Sequence, residues 1–264
     1  MSGEQTIRLA FFFGVLTVIA IWEVVAPRRA LTDKKGRRWF ANLSLVVIDT
    51  AVVRYLLPVL PVGLALMAHE RGSGILNIIM LPAWIKIILT VVALDFVIYL
   101  QHMLFHFLPI LWRVHRMHHT DLDIDVTTGN RFHPVEIVIS VGIKLAAVAL
   151  IGPPVIAVVI FEVALNATSQ FNHGNILIPE SVDRWLRLVV VTPDMHRVHH
   201  SVTPRETNSN FGFNFPWWDR LCGTYRPLPE LGHACMNIGL KEFRDSTKLT
   251  LLKLLLQPFV HKPE

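Results

Sequence analysis

Two copies of one histidine pattern, separated by a long apolar stretch, restrict this chain more than any other feature. His115-Arg116-Met117-His118-His119 and His196-Arg197-Val198-His199-His200 both read His-x-x-His-His. On a helix, positions i, i+3 and i+4 share a face, so each copy points three imidazoles one way. His102 and His106, four residues apart, form a third group just upstream. Eight of the 13 histidines therefore fall into three helically phased groups. A neutral imidazole is a borderline ligand suited to iron, zinc and copper, and so many donors are too numerous for one ion. The pattern predicts two ions with four or five ligands each.

The surrounding chain reads as a membrane protein. Charged residues make up only 17%, against roughly 25% in ordinary soluble proteins. Residues 7–26, 41–68 and 75–108 are apolar runs interrupted only by Arg8, Glu23, Asp49, Arg54, Lys86 and Asp95. Each matches the roughly 20 residues a helix needs to cross a bilayer. The first run lacks a basic leader and a small-residue cleavage site, and reads as a retained transmembrane helix rather than a signal peptide. The net charge of +5 is local: Arg28, Arg29, Lys34, Lys35, Arg37 and Arg38 stand against Asp33 alone. Beside a hydrophobic span this is the positive-inside signal rather than a nucleic-acid patch. The loop is expected in the cytoplasm, with the N-terminus outside and no nucleic-acid partner. Cys222 and Cys235 show no metal-type pairing, and no disulfide is expected.

Topology follows from requiring one metal site. The third run delivers His102 and His106 to the cytoplasmic surface, and Pro109 can open a new helix carrying His115, His118 and His119. The apolar stretch 135–171 is broken by Gly152-Pro153-Pro154, and a proline pair after glycine ends a helix. If both clusters serve one site, this stretch enters and leaves on the same side, as a tight helical hairpin. Thr192-Pro193-Asp194 reads as a helix start ahead of the second cluster. Residues 201–229 read as an ordered loop over the site, and residues 249–260 as a segment lying on the membrane or packed on the bundle. The expected fold is all-α: a polytopic membrane bundle of four to five helices, hairpin included, with a cytoplasmic helical cap holding the metal site. Residues 1–264 form one domain.

The membrane metalloprotease pattern needs Glu directly after the first histidine, and both clusters carry Arg there. Heme leaves the repeated spacing unexplained. A di-iron centre that activates dioxygen accounts for both the histidine count and the membrane setting. An all-histidine shell adds no ligand charge, so an oxidant formed there would be electrophilic enough for unactivated C–H bonds of lipids.

The three histidine groups resemble the histidine boxes of the fatty acid hydroxylase/sterol desaturase superfamily of membrane di-iron oxygenases. Arg131-Phe132-His133-Pro134-Val135-Glu136 resembles its R-x-H-P-x-E segment, Asn172-His173-Gly174-Asn175 its H-x-N turn, and Trp217 to Tyr225 its closing W-W-D-x-x-x-G-T-x block. The resemblance is strongest over residues 95–225. It implies two irons at the cytoplasmic face (with zinc taken up on purification), O₂ as co-substrate, and electrons from a ferredoxin or cytochrome b5 type partner. On the matching positions His102, His106, His115, His118, His119, His196, His199 and His200 become ligands, with His173 a ninth. The fatty acid 2-hydroxylase branch has a further histidine four before this one; here that position is Ser169, which argues against that branch.

Other candidates act beside the metals or the substrate. His133 is assigned such a role, with Asn172 and Trp218. Asp95, seven before His102 on the same helix face, either orients a histidine or pairs with Lys86 or Lys144. Asp121 and Asp125 either support the ligands or face solvent. Trp217, Trp218 and Tyr225 line a lipid entrance, anchor at the interface or pack in the cap. His69, His233 and His261 are loop histidines. The 28–38 loop sets topology rather than docking a redox partner, so reversing Lys34, Lys35, Arg37 and Arg38 should spare electron transfer. The leading reading is an O₂-dependent lipid hydroxylase or desaturase. Sterol-like, carotenoid, fatty acyl and alkylglycerol lipids all fit it. The rivals are a histidine-rich metal carrier or transporter, which would string ligands along the membrane interior, and a zinc-dependent membrane hydrolase.

Overall fold

The computed structural model describes residues 3–260; His261 lies outside them. Every regular element among the described residues is helical. Five stretches are long and apolar enough to cross a membrane: Gly3–Val25, Lys35–Ile78, Ala83–Phe107, Pro134–Ile151 and Val155–Asn172. Their outward faces expose Phe13, Val18, Ile21, Val47, Ile88 and Ile160. Such a belt is stable against lipid and not against water. The protein is an integral, multi-pass membrane protein.

The first stretch is one helix, α1 (Gly3–Val25). The second is not one span. It divides into α2 (Lys35–Leu56), α3 (Pro61–Glu70) and a single turn, α4 (Ile75–Ile78). Pro58 and Pro61 remove the amide donors that a continuous helix would need at that break. The early turns of α2 are also held against protein on one face. Arg38 is buried against Asp121 and Asp125, Asn42 bonds Thr127, and Ala41 and Leu45 pack with Met117 and Leu254. The uniform hydropathy of residues 41–68 thus conceals a segment whose apolar face meets protein.

α5 (Ala83–Phe107) runs to the cap and ends at Leu108, whose residue also precedes α6 (Pro109–His119), with Pro109 in its first turn. A 3-10 turn (Thr128–Asn130) leads to α7 (Pro134–Ile151) and α8 (Val155–Asn172). These last two form the expected hairpin, returning to the histidine end, with Gly152 left-handed at φ 60°. A side chain at Gly152 would collide with the Ser73 carbonyl at 2.4 Å. The hairpin is not tight, however. α3 and α5 pack against both arms, through Ala65, Leu94 and Ile98 against Ala147, Val148, Val158 and Phe161. The arms are held apart, and a cavity lies between them.

The cap is built from α6, α9 (Glu180–Leu186), α10 (Pro193–His199), α11 (Pro204–Thr207), α12 (Trp217–Leu221), α13 (Gly232–Cys235) and α14 (Leu251–Leu256). The C-terminal α14 packs on α2 through Leu254 rather than lying free on a membrane surface. Cys222 and Cys235 are free and exposed. The basic loop closes onto the same cap: Arg28 bonds Asp194 at 3.0 Å, and Arg29 bonds the Met236 carbonyl at 3.0 Å. Arg38 is therefore a core residue, and its charge reversal is not the innocuous control that the sequence suggested.

Candidate metal centre

Four elements bring the histidines together. α5 supplies His102 and His106 from its last turn and a half, and α6 supplies His115, His118 and His119. His173 lies just past the end of α8, and α10 supplies His196 and His199 with His200 just past its end. The start of α10 is fixed by Thr192, whose Oγ1 accepts the Met195 N–H at 3.4 Å, with Pro193 in the first turn.

The rings divide into two groups. His102, His106, His115, His119 and His199 form one; His118, His173, His196 and His200 form the other. Within each group one nitrogen per ring lies within 4.8 Å of all the others. The groups adjoin through His119 and His200, whose rings stack with centroids 4.6 Å apart.

Ring orientation decides what these groups suit. Nδ1 of His118 bonds the Arg131 carbonyl at 3.2 Å, and Nδ1 of His173 bonds the Ser169 carbonyl at 2.6 Å. A carbonyl only accepts, so both Nδ1 atoms carry the proton and both Nε2 atoms present lone pairs. Yet those two Nε2 atoms face each other at 3.1 Å. Two lone pairs do not bond each other; a cation between them resolves the contact. Nitrogen–metal bonds of about 2.1 Å at a right angle would place the nitrogens about 3.0 Å apart. In the other group, Nδ1 of His102 bonds the Phe211 carbonyl at 2.8 Å and Nδ1 of His199 the Ser209 carbonyl at 2.7 Å. Their Nε2 atoms, with that of His106, are buried without a partner. Burial first, and then neighbouring imidazoles, push His118, His119, His196, His199 and His200 far below the ordinary imidazole range. Burial holds His173 at about 4. These six rings are thus neutral, as ligands must be, and the two groups suit two metal ions.

The fatty acid hydroxylase profile matches residues 87–224, just over half of the chain and all nine rings. The chain belongs to the fatty acid hydroxylase family. Membership makes it an oxidoreductase that acts on lipids. Among relatives, an ornithine lipid hydroxylase of Rhizobium tropici is 24% identical over 256 residues, covering 95% of this chain and 75% of that protein. Alkylglycerol monooxygenase of Xenopus tropicalis is 31% identical over 143 residues, 54% of this chain but only 31% of that protein. Methylsterol monooxygenase 2-2 of Arabidopsis thaliana is 27% identical over 179 residues, 65% of this chain and 66% of that protein. No solved structure matches the chain.

Around the family's histidines, the supporting residues differ from expectation. Asp95 touches neither a histidine nor a lysine. It accepts the Trp218 indole N–H at 2.8 Å and the Asn214 and Phe215 amides at 3.2 and 3.3 Å. It therefore anchors the loop that carries Phe211 and Phe213 beside His102. Asp121 and Asp125 are buried rather than solvated, and bind Arg38 instead of a histidine ring. Burial would raise Asp121, but Arg38 and then Arg131 outweigh it and hold the carboxyl at about 2. His133 lies outside both groups. Its Nε2 bonds the Leu255 carbonyl at 3.1 Å, and its Nδ1 caps α7 by accepting the Val135 amide at 3.2 Å. Asn172 donates to the Phe213 carbonyl at 3.2 Å. Trp217 and Trp218 are occupied in cap packing, donating to Leu188 and Asp95. Arg220 lies over the Tyr225 ring. His69 is exposed. Neither His69, in the last turn of α3, nor His233, in α13, is a loop residue; His233 is buried and lies 3.6 Å from Asp194.

Glu136 is the supporting residue that sequence reasoning passed over. Its Oε1 accepts His115 Nδ1 at 2.6 Å, the carboxylate–histidine arrangement that raises ligand basicity. The signal was present: Glu136 is the last residue of the R-x-H-P-x-E segment. Arg131, from the same segment, bonds Met117, Asn42 and Thr120, each at 3.0 Å, and fixes the end of α6. The arginine inside each histidine cluster also points away from the rings. Arg116 bonds the carbonyls of Gln257 and Val260 at 2.7 and 2.6 Å, and Arg197 bonds Asp194.

The space between the hairpin arms is a cavity of about 510 Å³. Its inner end meets His102 and His115, and its walls reach Phe12 of α1, Asp49 of α2, Ile137 of α7 and Val163 of α8.

Proposed function

We propose that this family member is a di-iron oxygenase that hydroxylates or desaturates a C–H bond of a polar lipid, using O₂ and electrons from an external donor. The observation that carries this reading is the pair of adjoining histidine groups, in one of which the Nε2 lone pairs of His118 and His173 face each other at 3.1 Å. His102, His106, His115, His119 and His199 hold one iron, and His118, His173, His196 and His200 the other. Two irons bound there would supply O₂ reduction and C–H oxidation. The protein's own part is to keep the rings neutral, to orient them through Nδ1, and to bring an apolar chain beneath them while excluding water.

The lipid relatives named above favour a substrate with a polar end. No nucleotide-binding fingerprint occurs in the sequence, so a ferredoxin or cytochrome b5 type protein is the electron source. The 28–38 loop packs on the same cap as the histidines. By the positive-inside rule, this cap faces the cytoplasm. Residues 1–264 act as one domain, with α2 and the basic loop built into the cap.

Elemental analysis and Mössbauer spectroscopy on protein from iron-supplemented cells test the reading, with His118→Ala/His199→Ala beside wild type. The expected result is about two irons per chain, oxidised on exposure to O₂ and lost in the variant. One metal per chain, or metal that survives both substitutions, would overturn it.

A further inference from the structure

Inside the cavity, three hydrogen-bond acceptors find no donor among the described residues. Oδ1 of Asp49, Oε1 of Gln101 and Oε2 of Glu136 are buried without a partner, and all three residues line the same space. They come from three helices, α2, α5 and α7. Asp49 is only 7% exposed and Gln101 8%. Gln101 is the neighbour of His102 in sequence, and its Nε2 donates to Ser140 Oγ at 2.9 Å, leaving Oε1 free. One donor, Nδ2 of Asn130, is also unpartnered there, so acceptors prevail.

A carboxylate buried in a span without a cation is costly, and Asp49 is not relieved by its neighbours. The cations lining this cavity, Arg8 and Lys144, are both bound to Glu162, and Arg8 also bonds Glu4 at 2.7 Å. That cluster is self-satisfied and ties α1, α7 and α8 together. Glu136 spends one oxygen on His115. Asp49 has no such duty in the fold or at the metals.

We propose that Asp49, assisted by Gln101, is a recognition site for a hydrogen-bond donor, a hydroxyl or an ammonium, at the polar end of a long-chain lipid. This rests on the lipid oxygenase reading and sharpens it. The polar end sits at the inner end of the cavity beside the metals, and the apolar chain runs outward past Phe12 and Val163 toward the bilayer. The carbon presented to the metals is then close to the polar group rather than at the far end of the chain.

The test is scintillation-proximity binding of tritiated hexadecanol, hexadecylamine and hexadecyl methyl ether to iron-loaded protein in phosphatidylcholine nanodiscs, with iron measured on the same samples. Wild type should bind the alcohol or the amine about tenfold tighter than the ether, which donates no hydrogen bond. A preference for the amine identifies an ammonium and a preference for the alcohol a hydroxyl. Asp49→Leu should bind all three alike, at the wild-type affinity for the ether and with unchanged iron. Asp49→Asn, close in shape, should fall between. Equal binding of ether, alcohol and amine by wild type would overturn the proposal without any variant. A preference that persists in Asp49→Leu would also overturn it. Wild type lacking iron while keeping the preference would sink the oxygenase reading and leave the recognition site standing.

Discussion

The cap buries two polar clusters side by side, and they are built on opposite principles. Around Arg38, every strong charge is met: the guanidinium bonds both oxygens of Asp121 and one of Asp125, and Thr128 adds its hydroxyl to Asp121. Around the histidines, carbonyls fix the proton on Nδ1 of His102, His118, His173 and His199, and their Nε2 atoms are left facing another ring or facing nothing. A satisfied network stabilises a fold. An unsatisfied one of this size stores an unmet demand for a ligand. Within one cap, the completeness of the hydrogen bonding thus separates scaffold from site.

The largest expected effect tests the scaffold side. Arg38→Leu leaves Asp121 and Asp125 buried without their bonded cation, with only Arg131 still acting on Asp121, at a cost of about 3–5 kcal/mol. A large drop in thermal midpoint is expected with or without metal. His200→Leu is the counterpart: both its ring nitrogens lack partners, so the metal-free midpoint should hardly change while bound metal falls. If both variants destabilise metal-free protein alike, the distinction fails.

Acid should separate the two regions next. The folded state holds His173 at about 4, below its ordinary 6.5, so its contribution is intact above 6.5 and is lost as pH falls toward 4. This amounts to about 3 kcal/mol in metal-free protein. Asp121 is held at about 2, below its ordinary 3.8, so its contribution is present above 3.8 and lost as pH falls through 2, about 2 kcal/mol. Thermal unfolding of metal-stripped protein across acid pH should show the histidine loss first and the Asp121 loss after it. A midpoint flat between pH 6.5 and 4 would remove His173 from the account.

The smallest effect sharpens the boundary between the clusters. Glu136→Gln keeps an acceptor for His115 but removes the charge, and should weaken metal binding about 10–100-fold with little change in metal-free stability. Competition with a chelator measures it; unchanged affinity would make Glu136 part of the scaffold.

Much of this was legible in the sequence, for reasons that also explain what was not. Helical phasing assembled His115, His118 and His119 on one face, and Thr192-Pro193 located α10, because both are local rules of a single helix. Gly152-Pro153-Pro154 gave the hairpin turn for the same reason. The splay of its arms depends on α3, which hydropathy merges with α2. Likewise the early turns of α2 are as apolar as a span, because a side chain facing α14 and one facing lipid obey the same preference. Asp95 finds its partners about 120 residues away in a loop, beyond any periodicity. Asp49 reads as an ordinary intramembrane acid until the structure shows that no cation among the described residues answers it.

Four of the nine rings, His102, His118, His173 and His199, are oriented by main-chain carbonyls of Phe211, Arg131, Ser169 and Ser209. A carbonyl is present whatever residue bears it, so mutation at those positions does not erase the acceptor. The tautomers are thereby insulated from drift in side-chain identity as long as the backbone path is kept. A lineage can then diverge in sequence around the cavity while the ring alignment is kept.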